Sequence, residues 1–330
     1  VGAEGRIFFF FEQKTAYEIV GLPVAGFDRK RLWRNFSVLV KLYRSMRRAK
    51  KILRDFQPDV AVGVGGYASG PMLKEAQKNG IPTLIQEQNS YAGVTNKLLA
   101  AKADRICVAY DGMDRFFPAS RIVKTGNPVR KDIVSSTLSR EDAKRELGFN
   151  PNRPLVLVVG GSLGARTIND SIKEAAPALL QSGAAILWQT GKIYADECIA
   201  TEKSINDANL KAVPFVSRMD LAYRAADVVV SRAGASTISE LQLVGAPAIL
   251  VPSPNVAEDH QRKNAEALAN RDAAIMILDR DCKAGLQDAV TALLRDKKRR
   301  DALSANVKSM AMGNSDERIV NELLQLIKDK

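Results

Sequence analysis

Residues 158–165 read Val-Val-Gly-Gly-Ser-Leu-Gly-Ala, an apolar run that breaks into glycines and then passes into a helical pattern. A buried strand that reaches a helix through glycines leaves backbone N–H groups and the positive end of the helix dipole facing outward. Ser162 adds a hydroxyl, and the set suits a pyrophosphate; the alternative is a tight strand-to-helix turn without a ligand. No Gly-Lys-Ser/Thr closes the loop and no Gly-x-Gly-x-x-Gly occurs in it, so it is neither a Walker loop nor a dinucleotide fingerprint. A second apolar run, residues 228–230, delivers Ser231-Arg232-Ala233-Gly234-Ala235-Ser236-Thr237-Ile238-Ser239-Glu240. The Glu240 carboxylate can accept two hydrogen bonds side by side, which matches the vicinal hydroxyls of a ribose. The same offsets, Ser236 to Ser239 and Thr237 to Glu240, also fit a capping box in which the second residue reaches back to the helix start. Gln86-Glu87-Gln88-Asn89 follows the apolar run 81–85 and so lies at the end of a strand, where α/β sheets bind ligands. Arg130, in Gly126-Asn127-Pro128-Val129-Arg130, could clamp a phosphate with its guanidinium fork. His260, the sole histidine, precedes Gln261 at a helix start, where it is either a base or a hydrogen bonder of that start.

These residues need strands and helices to hold them. Apolar runs at residues 60–64, 81–85, 105–109, 155–159, 185–189, 212–216, 228–230 and 248–251 predict strands covered on both faces, as in parallel sheets. Helical patterns intervene, for example over 237–244, so the expected fold is α/β with two doubly wound domains. The boundary is expected near residues 126–130, giving domains 1–130 and 131–330. A last amphipathic helix, residues 316–328, carries Ile319, Leu323, Leu324 and Ile327 and is counted with the second domain. The first domain opens on a strand end and turn without a preceding strand–loop–helix unit. Residues 8–19, with four successive phenylalanines, read as foreign to the domain and take no part in the functional reading.

The 46% hydrophobic and 26% charged residues are those of a soluble globular protein. No apolar run approaches the ~20 residues that span a bilayer, and the first residues do not form a signal peptide. Cys107, Cys198 and Cys282 are odd in number and far apart, which argues for a reducing cytoplasm and against a metal cluster. Residues 1–130 carry 22 basic against 11 acidic side chains, whereas residues 131–330 carry 27 against 26. Residues 29–54 hold eleven basic residues and no acidic one, with Leu32, Phe36, Leu39, Tyr43 and Met46 recurring at helical spacing. Such a helix is either a solvated face or a surface drawn to anionic lipid. Without a zinc pattern, RNA-recognition signature or helix-turn-helix, nucleic acid is not an expected partner.

Taken in order, GGYASGP (65–71), QEQN (86–89), GNPVR (126–130), GGSLGA (160–165), RAGASTISE (232–240) and the Asp259-His260-Gln261 and Asn264-Ala265 pairings resemble glycosyltransferase family 28, in its peptidoglycan branch. The resemblance implies a GT-B fold, two Rossmann-like domains facing a cleft. It implies a hexosyltransferase that moves N-acetylglucosamine (GlcNAc) with inversion from UDP-GlcNAc to the C4 hydroxyl of N-acetylmuramic acid (MurNAc) in lipid I, giving lipid II for cell-wall growth and division. It also implies a peripheral enzyme on the cytoplasmic face of the bacterial inner membrane, held to anionic lipid by residues 29–54, without metal or cofactor. Carried over by position, the donor site is Asn89, Arg130, Ser162, Val216, Ala235, Ser236, Thr237, Ile238, Ser239, Glu240 and Gln261. Ser162 and its loop would take the diphosphate, Glu240 the ribose, Val216 the uracil and Gln261 the GlcNAc hydroxyls. On the acceptor side stand Gly65, Gly66, Tyr67, Ser69 and Glu87. The family opens on a strand and a TGGHxxP loop whose histidine is the favoured base; this sequence shows no such loop, so no base is assigned and the stretch as written is expected to lack competent catalysis. The rival readings are a UDP-GlcNAc 2-epimerase, a diacylglycerol sugar transferase, or a UDP-sugar-binding membrane subunit without chemistry.

Overall fold

Apolar runs with no polar face are stable only as strands covered on both sides, and the chain uses them in two separate parallel sheets. The computed structural model describes residues 6–8, 19–25 and 35–328. It divides into one unit that runs to Gly126 and resumes at Ser315, and a second unit, Asn127–Asn314.

In the first unit, β1 (Arg6–Phe8) and β2 (Ile19–Gly21) form an antiparallel pair of their own. Four parallel strands follow in sequential order: β3 (Ala61–Gly63), β4 (Thr83–Glu87), β5 (Arg105–Val108) and β6 (Ile122–Lys124). Three helices accompany them: α1 (Asn35–Phe56), α2 (Gly66–Lys78) and α3 (Val94–Ala100). On one side of the sheet, Ala49 and Leu53 of α1 pack with Ala61, Met72 and Ala76.

The second unit is a six-stranded parallel sheet made of β7 (Leu155–Val159), β8 (Ala185–Gln189), β9 (Leu210–Val213), β10 (Val228–Ser231), β11 (Ala248–Leu250) and β12 (Ile275–Met276). The spatial order β12-β11-β10-β7-β8-β9 is that of the dinucleotide-fold sheet, and its direction of winding reverses between β7 and β10. Helices α4 (Arg140–Glu146), α5 (Arg166–Gln181), α6 (Ala195–Ile205), α7 (Met219–Ala225), α8 (Ala235–Val244), α9 (His260–Ala269), α10 (Cys282–Arg295) and α11 (Lys297–Ser309) alternate with the strands. Val156, Val158, Trp188, Val230 and Ile249 on one face pack against Ile168, Ile172 and Leu179 of α5 and Leu286 and Val290 of α10. The buried Asn169 of α5 accepts from the Trp188 indole at 2.9 Å and donates to the Thr190 carbonyl at 2.9 Å. A polar side chain in such a core is stable only because both its groups are satisfied, and here it pins α5 to the end of β8.

Several expectations are corrected. The unit boundary falls after Gly126, inside the expected 126–130, but the final helix α12 (Ser315–Lys328) counts with the first unit. There Ile319 and Leu326 cover Leu84 and Cys107, and Glu322 pairs with Arg105 at 3.1 Å. β9 ends at Val213 rather than continuing to Val216, because Pro214 has no N–H for the ladder. α2 starts at Gly66, inside the GGYASGP motif, and Gln86 and Glu87 lie inside β4 rather than beyond it. The apolar residues at helical spacing in α1 face away from its core: Phe36, Leu39 and Tyr43 are exposed, whereas Val38, Ser45, Ala49 and Leu53 are buried. Residues 29–34, and residues 9–18 of the stretch set aside above, lie outside the described residues.

Asp227, at the foot of β10, holds the start of the second sheet. Its carboxylate accepts from the Leu155 N–H and from Lys144 Nζ, each at 2.8 Å, and from Arg140 at 3.1 Å. Lys144 is itself buried. Asp227→Ala strands that ammonium without its counter-charge, and its measured unfolding free energy in denaturant should fall by about 3–5 kcal/mol.

Candidate functional site

The glycine loop after β7 is shaped by backbone contact with the loop after β8. A Cβ on Gly164, at φ +89°, would lie 2.2 Å from the Thr190 carbonyl oxygen, and one on Gly191 would lie 2.0 Å from the Gly164 nitrogen. Backbones that touch so closely admit only glycine there, and both positions also have positive φ. Ser162 and Leu163 stand exposed on the rim of this loop. Ala165 precedes α5 without a side-chain cap, so the helix start offers its N–H groups and dipole outward.

On the neighbouring strand, β10 leads through Gly234 to α8, again without a side-chain cap. The capping box is not formed. Ser239 donates instead to the Ala235 carbonyl at 3.0 Å and accepts from Asn127 at 3.1 Å, while Glu240 accepts from the Tyr223 phenol at 2.8 Å. Burial pushes the Glu240 carboxyl above its ordinary value; the Tyr223 hydrogen bond and the Arg130 charge pull it back, and Asp132 opposes them. Burial also raises the Tyr223 phenol, helped by the Glu240 charge. Arg130 therefore acts on Glu240 through space while its guanidinium stands 3.6 Å from Asp132.

Other residues reach the same edge of this sheet from adjacent strands. Gln189, the last residue of β8, accepts from the Val216 N–H at 3.2 Å and so fixes the turn that carries Val216. Exposed Phe215 lies beside it. Beyond β11, Gln261 accepts from the Ser253 N–H at 2.9 Å. Glu258 and Asp259 both have positive φ, 55° and 54°, a strained pair that sets the entry into α9. His260 opens that helix, and its buried Nδ1 makes no hydrogen bond. Asp279 links the two glycine-bearing loops: it accepts from Thr167 of α5 at 2.9 Å and from Arg232, which also donates to the Val251 carbonyl at 3.0 Å. Tyr223, Gln189, Asn127 and Asp279 were not among the expected site residues. Asn127 sits inside the quoted GNPVR motif; the other three lie in stretches without a motif and show themselves only through their contacts.

The first unit holds Asn89, Gly65, Gly66, Tyr67, Ser69 and Glu87 at the corresponding edge of its own sheet. Gly65 and Gly66, at φ +85° and +76°, turn the chain into α2, and Tyr67 is exposed. The Ser69 hydroxyl donates to the Gly65 carbonyl at 2.6 Å and thus braces the turn. Glu87 is 2% exposed. Its oxygens accept from the Asn89 N–H at 3.1 Å, the Asn89 amide at 3.2 Å, the Gly93 N–H at 3.0 Å and the Asn96 amide at 2.8 Å. A carboxylate so enclosed braces the QEQN loop and the start of α3.

The N-terminal domain model of glycosyltransferase family 28 matches residues 2–108, and the family's C-terminal domain model matches residues 155–321. The chain is 52% identical over 330 residues to a Parabacteroides distasonis protein, covering 100% of this chain and 90% of that one. It is 53% identical over 327 residues to one from Phocaeicola vulgatus, with 99% and 87% covered. Both relatives are named UDP-N-acetylglucosamine–N-acetylmuramyl-(pentapeptide) pyrophosphoryl-undecaprenol N-acetylglucosamine transferase. Among solved structures, the crystal structure of Acinetobacter baumannii MurG superposes with a TM-score of 0.71 at 30% identity, covering 87% of this chain and 79% of that one.

A brace and a ligand respond differently to replacement. Glu87→Gln turns one carboxylate oxygen into an N–H₂ that faces two of the four donors and leaves the other two on a neutral carbonyl, and hydrogen bonds to a charged group are worth roughly 1.5–3 kcal/mol each. The melting temperature should drop by several degrees, measured calorimetrically without any ligand.

Proposed function

Because the chain belongs to glycosyltransferase family 28, we propose that it transfers GlcNAc from UDP-GlcNAc to the C4 hydroxyl of MurNAc on undecaprenyl-pyrophosphoryl-MurNAc-pentapeptide, forming lipid II. The observation that carries this reading is the convergence of two uncapped helix starts, α5 and α8, at the point where the second sheet reverses its winding. Ligands of open α/β sheets bind there, and helix starts there favour a diphosphate. In the reaction the acceptor oxygen forms a bond to the sugar C1 as the bond from C1 to the UDP oxygen breaks, with inversion. The hydroxyl proton passes to a base that these residues do not identify. Negative charge grows on the departing diphosphate, and the N–H groups at the start of α5 with the Ser162 hydroxyl are placed to stabilise it. Glu240 takes the ribose hydroxyls, with Ala235, Ser236, Thr237, Ile238 and Ser239 forming the helix start beside them. Val216 borders the uracil, Gln261 contacts GlcNAc, and Arg130 lends positive charge. In the first unit, the turn of Gly65, Gly66, Tyr67 and Ser69 meets the acceptor diphosphate. A 2-epimerase would invert the sugar at C2 and leave no label on lipid.

The acceptor lies in a membrane, and α1 fits that placement. Phe36, Leu39 and Tyr43 are exposed on a helix that also displays Lys41, Arg44, Arg47, Arg48 and Lys51. Each basic residue near an anionic surface contributes about 1 kcal/mol. No helix among the described residues is long and apolar enough to cross a membrane. On this reading α1 holds the enzyme as a peripheral protein at the cytoplasmic face of the bacterial inner membrane.

Two measurements test these readings. Titration calorimetry on the chain should give binding of UDP and UDP-GlcNAc at least tenfold tighter than ADP-glucose or NAD, and radiolabel from UDP-GlcNAc should appear on vesicle-borne acceptor; equal binding of ADP-glucose overturns the donor assignment. Separately, replacing Arg44, Arg47, Arg48 and Lys51 with Gln should weaken sedimentation with anionic vesicles and leave UDP affinity unchanged. Wild-type sedimentation should itself decline with salt, since screening acts over ~8 Å at physiological ionic strength.

A further inference from the structure

Resting on Glu240 as the ribose ligand, we propose that Tyr223 is a positioning residue for nucleotide recognition: its phenol fixes the Glu240 carboxylate in the orientation that accepts from both ribose hydroxyls. Tyr223 is buried in α7, only 4% exposed, and its hydroxyl donates to Glu240 Oε2 at 2.8 Å. The phenol has no second donor, so this bond determines where it points. Glu240 Oε1 takes no hydrogen bond from the described residues and is left for a ligand. The terminal torsion of a glutamate is broad and roughly two-fold, so without a fixed donor the carboxylate plane would wander. Reading a vicinal diol needs that plane held, because each oxygen must meet its own hydroxyl.

The same contact bears on charge. Burial favours the neutral acid at Glu240, and Tyr223 and Arg130 are the groups that restore the carboxylate, against Asp132. Loss of the phenol removes one of the two opposing influences. The Glu240 carboxyl then takes up its proton at a higher pH, and affinity that depends on its charge is lost earlier as pH falls.

Tyr223→Phe keeps the ring in its packing and removes only the hydroxyl. Titration calorimetry on the chain with UDP and 2′-deoxy-UDP, from pH 5 to pH 8, reads the effect. At pH 8 the variant should bind UDP roughly three- to tenfold more weakly, the scale of one ordinary hydrogen bond, because the phenol orients the carboxylate rather than touching the ligand. The preference for UDP over 2′-deoxy-UDP should shrink by a similar factor, and the acid decline of UDP affinity should move to higher pH. A lowered melting temperature with the deoxy ratio and the acid decline both unchanged would reduce Tyr223 to packing and overturn the proposal. Glu240→Gln run beside it separates the two ideas. If that variant loses the ribose preference while Tyr223→Phe keeps it, only the positioning role fails; if Glu240→Gln still discriminates against the deoxy nucleotide, the ribose reading fails and the Tyr223 role with it.

Discussion

Parallel strands all end on the same side, and that geometric fact governs the second unit. Each of β7, β8, β10 and β11 releases its chain at one edge, so the loops that follow them must meet there. Where winding reverses between β7 and β10, the two outgoing helices diverge to opposite faces and leave a crevice between their starts. The dipoles of α5 and α8 then point their positive ends at the same place. No charged side chain is needed to create this field; it arises from peptide groups that the sheet has already oriented.

Holding those loops at close range requires glycine where two backbones touch, and satisfied polar groups where the chain is buried. Gly164 and Gly191 answer the first need, since a single methyl at either would overlap backbone atoms. Asn169, Asp227 and Asp279 answer the second. Each sits away from the exposed rim and ties one element to another: α5 to β8, α4 to β7 and β10, and α5 to the loop after β10. Buried polar groups left half satisfied would cost more than they contribute, so each of these side chains is bonded to more than one partner. Glu87 does the same in the first unit, gathering the QEQN loop and the start of α3 around one carboxylate.

Charge is distributed with a similar logic. The second unit is nearly neutral in sequence, and its anion-binding character comes from backbone. The basic excess lies in the first 130 residues, and on α1 it surrounds Phe36, Leu39 and Tyr43, which the core does not use. An exposed apolar row within a basic field differs from an ordinary solvated helix face, and it is the tertiary packing of Ala49 and Leu53 that decides which row is exposed.

The strands carried by long apolar runs, the glycine turns and the order of the motifs were legible in the sequence, because a run such as Leu155–Val159 has only one stable environment and a glycine at positive φ has few substitutes; the short β6 and β12 have no such run and were not expected. The family resemblance rested on that same linear order. Boundaries were less legible: Pro214 ended β9 early, and α12 left the second unit because Ile319 and Leu326 found their partners in Leu84 and Cys107, more than two hundred residues earlier. The roles of the two glutamates could not be read from spacing at all. Glu240 suits a capping box and Glu87 suits a ligand as far as residue type and offset go. Only the fold brings Tyr223 to the first and four N–H donors to the second, since those partners come from other elements or from a loop folded back on its own strand, and hydrogen bonds across space leave no periodic trace in a sequence.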